Sequence, residues 1–273
     1  MTQPSEDALR AAQMYERYMV PRLFAPWSEV LLDFAEIREG ERVLDVACGT
    51  GIVARQAAKR VSVGGGVSAL DLNPAMLAVA REAAVPDAPN IDWQRGSAQH
   101  LPFGDSSFAA VLCQQGLQFF PDPLGALSEM WRVLKPGGRA ALLVHQAVEH
   151  NPLFHRLNQA GRARVGVDIF MAPFTLGSAA KLEQLMADAG FVDIEIEAQS
   201  RTVRHPAPQQ FAALILQGAA AAVPQLAAMT PQQRQQLSGQ LQHDLSDWIA
   251  AHSENGELID EAAVHLIRGR RQE

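Results

Sequence analysis

Asp45, Gly49, Gly51 and Asp71 are spaced to hold a nucleoside. In Arg42-Val43-Leu44-Asp45-Val46-Ala47-Cys48-Gly49-Thr50-Gly51-Ile52-Val53-Ala54, an apolar run ends in an acid, a loop of small residues follows, and a helix begins. Glycine has no Cβ, so Gly49 and Gly51 permit a tight turn and close approach of a ligand to bare backbone. The helix starting near Ile52 offers free N–H groups to whatever sits above the loop. A second apolar run, Gly66-Val67-Ser68-Ala69-Leu70, ends in Asp71, twenty residues after Gly51. A carboxylate there can accept hydrogen bonds from both hydroxyls of a ribose.

Two cofactor classes fit this pattern. Gly49-x-Gly51-x-x-Ala54, with Asp71 at its distance, matches the dinucleotide fingerprint and admits a nicotinamide oxidoreductase. Asp45, four residues before Gly49, weighs the other way. A pyrophosphate is repelled by a carboxylate at that place. The ammonium of S-adenosylmethionine (SAM) is attracted to one, directly or through water. The alternative role for Asp45 is a strand-end acid that caps loop N–H groups.

Further along run Ile91-Asp92-Trp93-Gln94-Arg95-Gly96-Ser97-Ala98-Gln99-His100-Leu101-Pro102-Phe103, Ser107 to Cys113, and Ala126-Leu127-Ser128-Glu129-Met130-Trp131-Arg132-Val133-Leu134-Lys135-Pro136-Gly137-Gly138. With these motifs in order, residues 40–191 resemble the class I SAM-dependent methyltransferases, especially the ubiquinone/menaquinone-biosynthesis type and related small-molecule enzymes. The resemblance implies that Asp45 and the loop from Ala47 through Gly49 to Gly51 hold the methionine part of SAM. It implies that Asp71 binds the ribose, that Leu72 and Met76 lie against the adenine, and that Ser97, Ala98 and Gln99 form the adenine-edge turn. The family commonly has Asp where this chain has Ser97, a neutral and weaker acceptor. Tyr15 stands where the family's N-terminal helix covers the cofactor, and Gln114 follows the fourth strand as a ligand contact.

The implied fold is α/β: a Rossmann-like, seven-stranded, mostly parallel sheet with the last strand antiparallel, helices on both faces and a helical lid. The chain's own pattern agrees for the core. Strands are expected at 42–46, 67–70, 91–94, 108–113, 138–145 and 191–197, alternating with helices at 52–60, 74–83, 123–133 and 179–188. Such alternation argues for a parallel sheet. Residues 8–37 read as two helices, broken by Pro21 and closed by Gly40. Residues 205–256 look unlike a nucleotide-binding core. They hold one helical pattern from Gln209 to Ala222 and a second, capped by Thr230-Pro231, with Leu237, Leu241, Leu245, Trp248 and Ile249 as an apolar stripe. Asn255-Gly256 turns the chain into a last strand at 262–267. The expected organisation is a cap (1–39), a core (40–204), a lid (205–256) and the closing strand with the C-terminus (257–273).

In an open α/β sheet the ligand lies beyond the carboxyl ends of the strands, where all these loops converge. Methyl transfer from a sulfonium is an SN2 displacement that neutralises charge. Holding the nucleophile in line supplies much of the acceleration, and a base is needed only for a protonated nucleophile. His145, ending the fifth strand, is the catalytic candidate. His100, His150 and His155 are weaker ones. Phe24, Phe119, Phe170 and Phe174 are candidates for an apolar acceptor pocket.

A net charge of −7 supplies no electrostatic footprint for nucleic acid, and no D/N-P-P-Y signature follows the fourth strand. No metal-ligand spacing is present. Two cysteines, an acidic N-terminus and no long apolar run suit a cytoplasmic chain without a membrane span. The expected activity is methyl transfer to an O, N or C nucleophile of a small aromatic or apolar acceptor, with S-adenosylhomocysteine as product. A quinone-pathway C-methyltransferase is the alternative within the fold. An NAD-dependent oxidoreductase and a non-catalytic SAM binder stay open beside it. Nothing in the sequence sets the oligomeric state.

Overall fold

β1 (Arg42–Val46) is buried at Val43, Leu44, Asp45 and Val46, the mark of a strand covered on both faces. A computed structural model describes residues 4–83, 90–206 and 223–273, together with 208, 212 and 216. β1 pairs in parallel with β2 (Gly66–Asp71) on one side and with β4 (Phe108–Gln114) on the other. β3 (Ile91–Arg95) continues the sheet beyond β2, and β5 (Leu134–His145) beyond β4. β8 (Glu257–Arg270) follows β5, and β6 (Val192–Pro206) follows β8, so the strand order is β3-β2-β1-β4-β5-β8-β6. β8 runs antiparallel to β5: Gly137 N–H donates to Arg271 and Arg271 N–H to Gly138. A two-residue strand, β7 (Ser253–Glu254), pairs antiparallel with the start of β8 around the left-handed Asn255-Gly256 turn. The last strand therefore begins five residues earlier than its apolar run at 262–267 announces, because the turn itself starts the pairing.

The chain divides into two compact units, Met1–Val144 with Ser178–Ala198 and His265–Glu273, and His145–Gly177 with Gln199–Val264. In the first, α1 (Glu6–Met14) packs on α4 (Pro74–Glu82), α2 (Ala25–Phe34) on α3 (Ile52–Val61), and α5 (Pro123–Val133) on α7 (Ala179–Asp188). The helix starts follow local chemistry. Asn73, Asp122 and Ser178 each accept a backbone N–H of the first turn through their side chains. Gly190, at φ +93°, leads out of α7.

Two expectations at the N-terminus are corrected. Pro21 does not break the first helix. It lies inside a π-helical run, Tyr15–Phe24, that leads directly into α2. The wider turn accommodates the missing N–H, and the Arg22 guanidinium donates to the Tyr18 carbonyl at 2.9 Å. α2 stops at Phe34 rather than near Gly40, whose φ of +80° serves the turn into β1. Arg139 of β5 anchors that turn. It donates to the carbonyls of Ala35, Glu36 and Ala109 and pairs with both oxygens of Glu41 at 2.8 and 2.7 Å.

The second unit has its own core, which includes Leu153, Leu157, Phe170, Leu216, Leu241 and Ile249. Leu153 and Leu157 belong to α6 (Pro152–Val165), a helix not anticipated from its pattern. Its face admits Gly161 because the Ile169 side chain fills the place of a Cβ, 2.6 Å away. The remaining α-helices among the described residues are α8 (Pro224–Ala227), α9 (Pro231–Asp244) and α10 (Ser246–Ala251). α9 opens with the expected Thr230 cap, completed into a capping box by Gln233. The stripe from Leu237 to Ile249 is not one helix but two, meeting at Leu245. Most of the pattern at 209–222 lies outside the described residues. Among those described, no helix is long and apolar enough to cross a membrane.

Candidate cofactor site

The loop after β1 is built around two acids. Asp45 is fully buried at the strand end, and its Oδ2 accepts the N–H of Ala54 in the first turn of α3 at 3.0 Å. Burial pushes its carboxyl up to about 8, and the neighbouring Asp71 adds to the shift. The Ala54 N–H and Arg55 work in the opposite sense. Asp71 closes β2. Its Oδ2 accepts the N–H of Gly49 and its Oδ1 the N–H of Asn73, both at 2.8 Å. Burial raises this carboxyl too, against those two N–H groups. A carboxylate offers about four lone-pair sites, so Asp71 can order the loop and still accept from a ligand.

Gly51 proves necessary for a reason other than ligand approach. At φ +85° a Cβ would fall 2.2 Å from the Trp93 ring of β3, so this glycine makes room for an indole. Gly49, at φ +55°, leaves its open side to Tyr15, whose hydroxyl would lie 4.0 Å from a Cβ there. Tyr15 starts the π-helix and packs on Phe24 with ring centroids 5.1 Å apart. Burial, then the charges of Asp71 and Glu16, raise its hydroxyl above the usual phenol value.

Ala47, Asp71, Leu72, Ser97, Ala98 and Gln99 line one cavity of about 140 Å³, closed further by Phe119, Phe120 and Pro121. Leu72 and Phe119 are 65% and 54% exposed, unusual for large apolar side chains, and both belong to this cavity. Ser97 Oγ accepts the Gln99 N–H at 3.2 Å. The Gln99 amide donates to the Asp122 carbonyl at 2.8 Å, tying the turn to the loop after β4. Glu129 and Arg132 of α5 hold the same turn from below, through the N–H and carbonyl of Leu101.

Of the expected cofactor set, Tyr15, Asp45, Gly49, Gly51, Met76 and Gln114 do not line that cavity. Met76 packs with Ala12, Ala75 and Val79 between α1 and α4. Gln114, buried at the end of β4, donates to the Phe24 carbonyl at 2.9 Å, and its Oε1 has no partner among the described residues. His145 lies in the second unit, with ring centroids 5.1 Å from Phe174 and 6.5 Å from Phe154. Burial pulls it down to about 4, so it is neutral at pH 7. Phe24 and Phe119 belong to the first unit, Phe170 and Phe174 to the second.

Sequence reasoning overlooked Arg55 and Glu16. Arg55 faces inward from α3, donates to the Thr50 carbonyl of the loop and pairs with Glu16 of the π-helix at 2.7 Å. The only local sign was an arginine among the buried Val53, Ala54, Ala57 and Ala58.

Residues 44–142, which carry the loop, the cavity and most of the parallel sheet, match the family described as Methyltransferase domain. Over 175 residues the chain is 36% identical to the 2-phytyl-1,4-naphtoquinone methyltransferase of Synechococcus elongatus, a match covering 63% of this chain and 70% of that protein. The chain belongs to the class I SAM-dependent methyltransferases. The ubiquinone/menaquinone biosynthesis C-methyltransferase of Haemophilus ducreyi is 36% identical over 135 residues, 49% of this methyltransferase and 51% of that one. In fold, the chain is similar to a Haemonchus contortus phosphoethanolamine N-methyltransferase solved with S-adenosylhomocysteine. The TM-score is 0.56 at 22% identity, over 91% of this chain and 53% of the other. Its activity is SAM-dependent methyl transfer, and the nicotinamide reading of the glycine loop falls away.

The site fits such a cofactor. Asp45 and Asp71 offer acceptor oxygens to a ligand's N–H and O–H donors, which a pyrophosphate lacks. The exposed faces of Leu72 and Phe119 suit a flat base.

Proposed function

We propose that this methyltransferase acts on a small aromatic or apolar acceptor, with the ring carbon of a quinol as its first candidate. The likeness to the Synechococcus quinone methyltransferase, over 70% of that protein, carries this reading. Bound SAM supplies a methyl group on a sulfonium whose departure leaves a neutral sulfide. The protein's own part is binding, orientation and exclusion of water.

Asp71 would take the ribose hydroxyls while it holds Gly49 in place. Ala47, Gly49 and Gly51 would shape the wall around the methionine half, with Asp45 and Tyr15 as its polar neighbours. Leu72 and Phe119 would flank the adenine, whose edge would meet Ser97 and the backbone of Ala98 and Gln99. Gln114 and Met76 are proposed as outlying contacts.

The second unit, outside the family match at 44–142, would supply acceptor specificity. His145 is the proposed contact to the acceptor's hydroxyl. As a neutral ring among Phe154 and Phe174 it suits hydrogen-bond acceptance better than removal of a proton from a weak acid, for which a value near the working pH serves best.

A panel of naphthoquinols, phenols and amines with methyl-labelled SAM tests the reading. Turnover on quinols with the label on a ring carbon supports it. Turnover confined to amines overturns the acceptor class. If His145→Gln retains full activity, His145 has no part in the reaction.

A further inference from the structure

A groove of about 460 Å³ opens in the second unit, between α6 and the junction of α9 with α10. That volume falls in the range of small-molecule sites, roughly 300–1,000 Å³. Its floor follows from two short side chains. Ala160 and Ala163 share a face of α6, with Arg156 one turn before and Arg164 just after them. Longer residues at those two positions would fill the space. Trp248 of α10 forms the facing wall.

The charges of the groove are unequal. Arg164 is spent, since its guanidinium donates to both oxygens of Asp244, at 2.9 and 2.6 Å. That fork leaves the one acid of the groove already paired and the pair neutral. Arg156 is exposed and makes no ion pair or hydrogen bond among the described residues. In a chain of net charge −7, this groove therefore keeps one positive charge for a ligand. The indole is held in place from behind. His252 stacks on it with ring centroids 4.3 Å apart and an interplanar angle of 22°, and the His252 Nδ1 lies 2.8 Å from the Trp248 carbonyl. A flat apolar body suits that fixed ring, and a planar anion suits the guanidinium beyond it. A ligand cation meets Arg156 and is repelled.

We propose that this groove binds a small aromatic carboxylate, with its ring against Trp248 and its carboxylate on Arg156. The proposal stands apart from the acceptor reading, because His145, Phe154 and Phe174 line no part of the groove. It gives the second unit a ligand site of its own, in which the bound molecule joins α6 to α10.

The test titrates 2-naphthoate against the full chain by calorimetry, with 2-naphthol as the same ring lacking the carboxylate. Naphthoate should bind at one site, at least about fivefold more tightly than naphthol, the worth of an exposed charge-assisted pair. Arg156→Met keeps the stem and removes the charge. It should bring naphthoate to within about twofold of naphthol. Ala163→Phe fills the groove and should weaken both ligands about tenfold or more. Both positions are exposed, so each variant retains its core. Absence of naphthoate binding at millimolar concentration would overturn the proposal. Binding that neither substitution alters would place the ligand elsewhere and overturn it too. Equal affinity of the wild-type protein for naphthoate and naphthol would refute the carboxylate as the recognised group.

Discussion

At Asp71 one side chain does two jobs, ordering the loop through Gly49 and facing the cavity where a ribose would lie. Asp71→Ala should weaken SAM by more than about tenfold in calorimetry, while unchanged affinity would remove the ribose assignment. Asp45 carries a pH signature. Its carboxyl, raised to about 8 by burial, holds a proton in the folded state that the unfolded chain releases near pH 4. The folded state therefore binds more protons between those values, and stability falls as pH rises from about 4 to about 8, then levels. Denaturant melts of wild type against Asp45→Asn should show the variant gaining relative stability across that window. A parallel response of the two proteins would rule this out. Gly51→Ala should destabilise by at least about 1–3 kcal/mol through overpacking against Trp93. Gly51→Ala/Trp93→Ala should recover part of the loss in urea melts. The glycines were readable as a loop. That Gly51 yields to an indole was not, because Trp93 comes from a strand forty-two positions away in the chain. Glu16 and Arg55 were hidden for the same reason: a pair separated by 39 positions leaves no periodic trace.

Elements declared themselves where local chemistry and burial agree. α4, α5 and α7 begin at side-chain caps, α3 at the left-handed Gly51, and all four end within a residue of their expected limits. α6 escaped notice since Gly161, Asn158 and three arginines dilute its apolar stripe. Its proline start at Pro152 and left-handed Gly166 end were nevertheless a usable sign. The π-helix was missed because proline is a barrier only to the narrower helix. The turn between α2 and β1 depends on Arg139, whose guanidinium is 7% exposed beside Glu41. Arg139→Met leaves that carboxylate and three carbonyls without their partner, and should cost about 3–5 kcal/mol. Chemical denaturation reads this directly, and a loss under about 1 kcal/mol would show the network to be dispensable.

For the whole molecule, the family match falls within the first unit, while the second assembles its own core from 145–177 and 199–264. The proposed function divides the labour between them. Phe174→Ala, beside His145, should raise the acceptor KM several-fold and leave the affinity for S-adenosylhomocysteine unchanged. A matching loss of cofactor affinity would place the two functions on shared residues. The motifs that reveal a methyltransferase are motifs of cofactor binding, so the acceptor leaves little imprint on sequence.

The indole of Trp93 sits against the backbone of Gly51 in the loop after β1. An optical reporter thereby lies under the proposed binding site. With Trp27, Trp131 and Trp248 replaced by phenylalanine, the remaining emission would register loading of the loop in real time, without label or substrate.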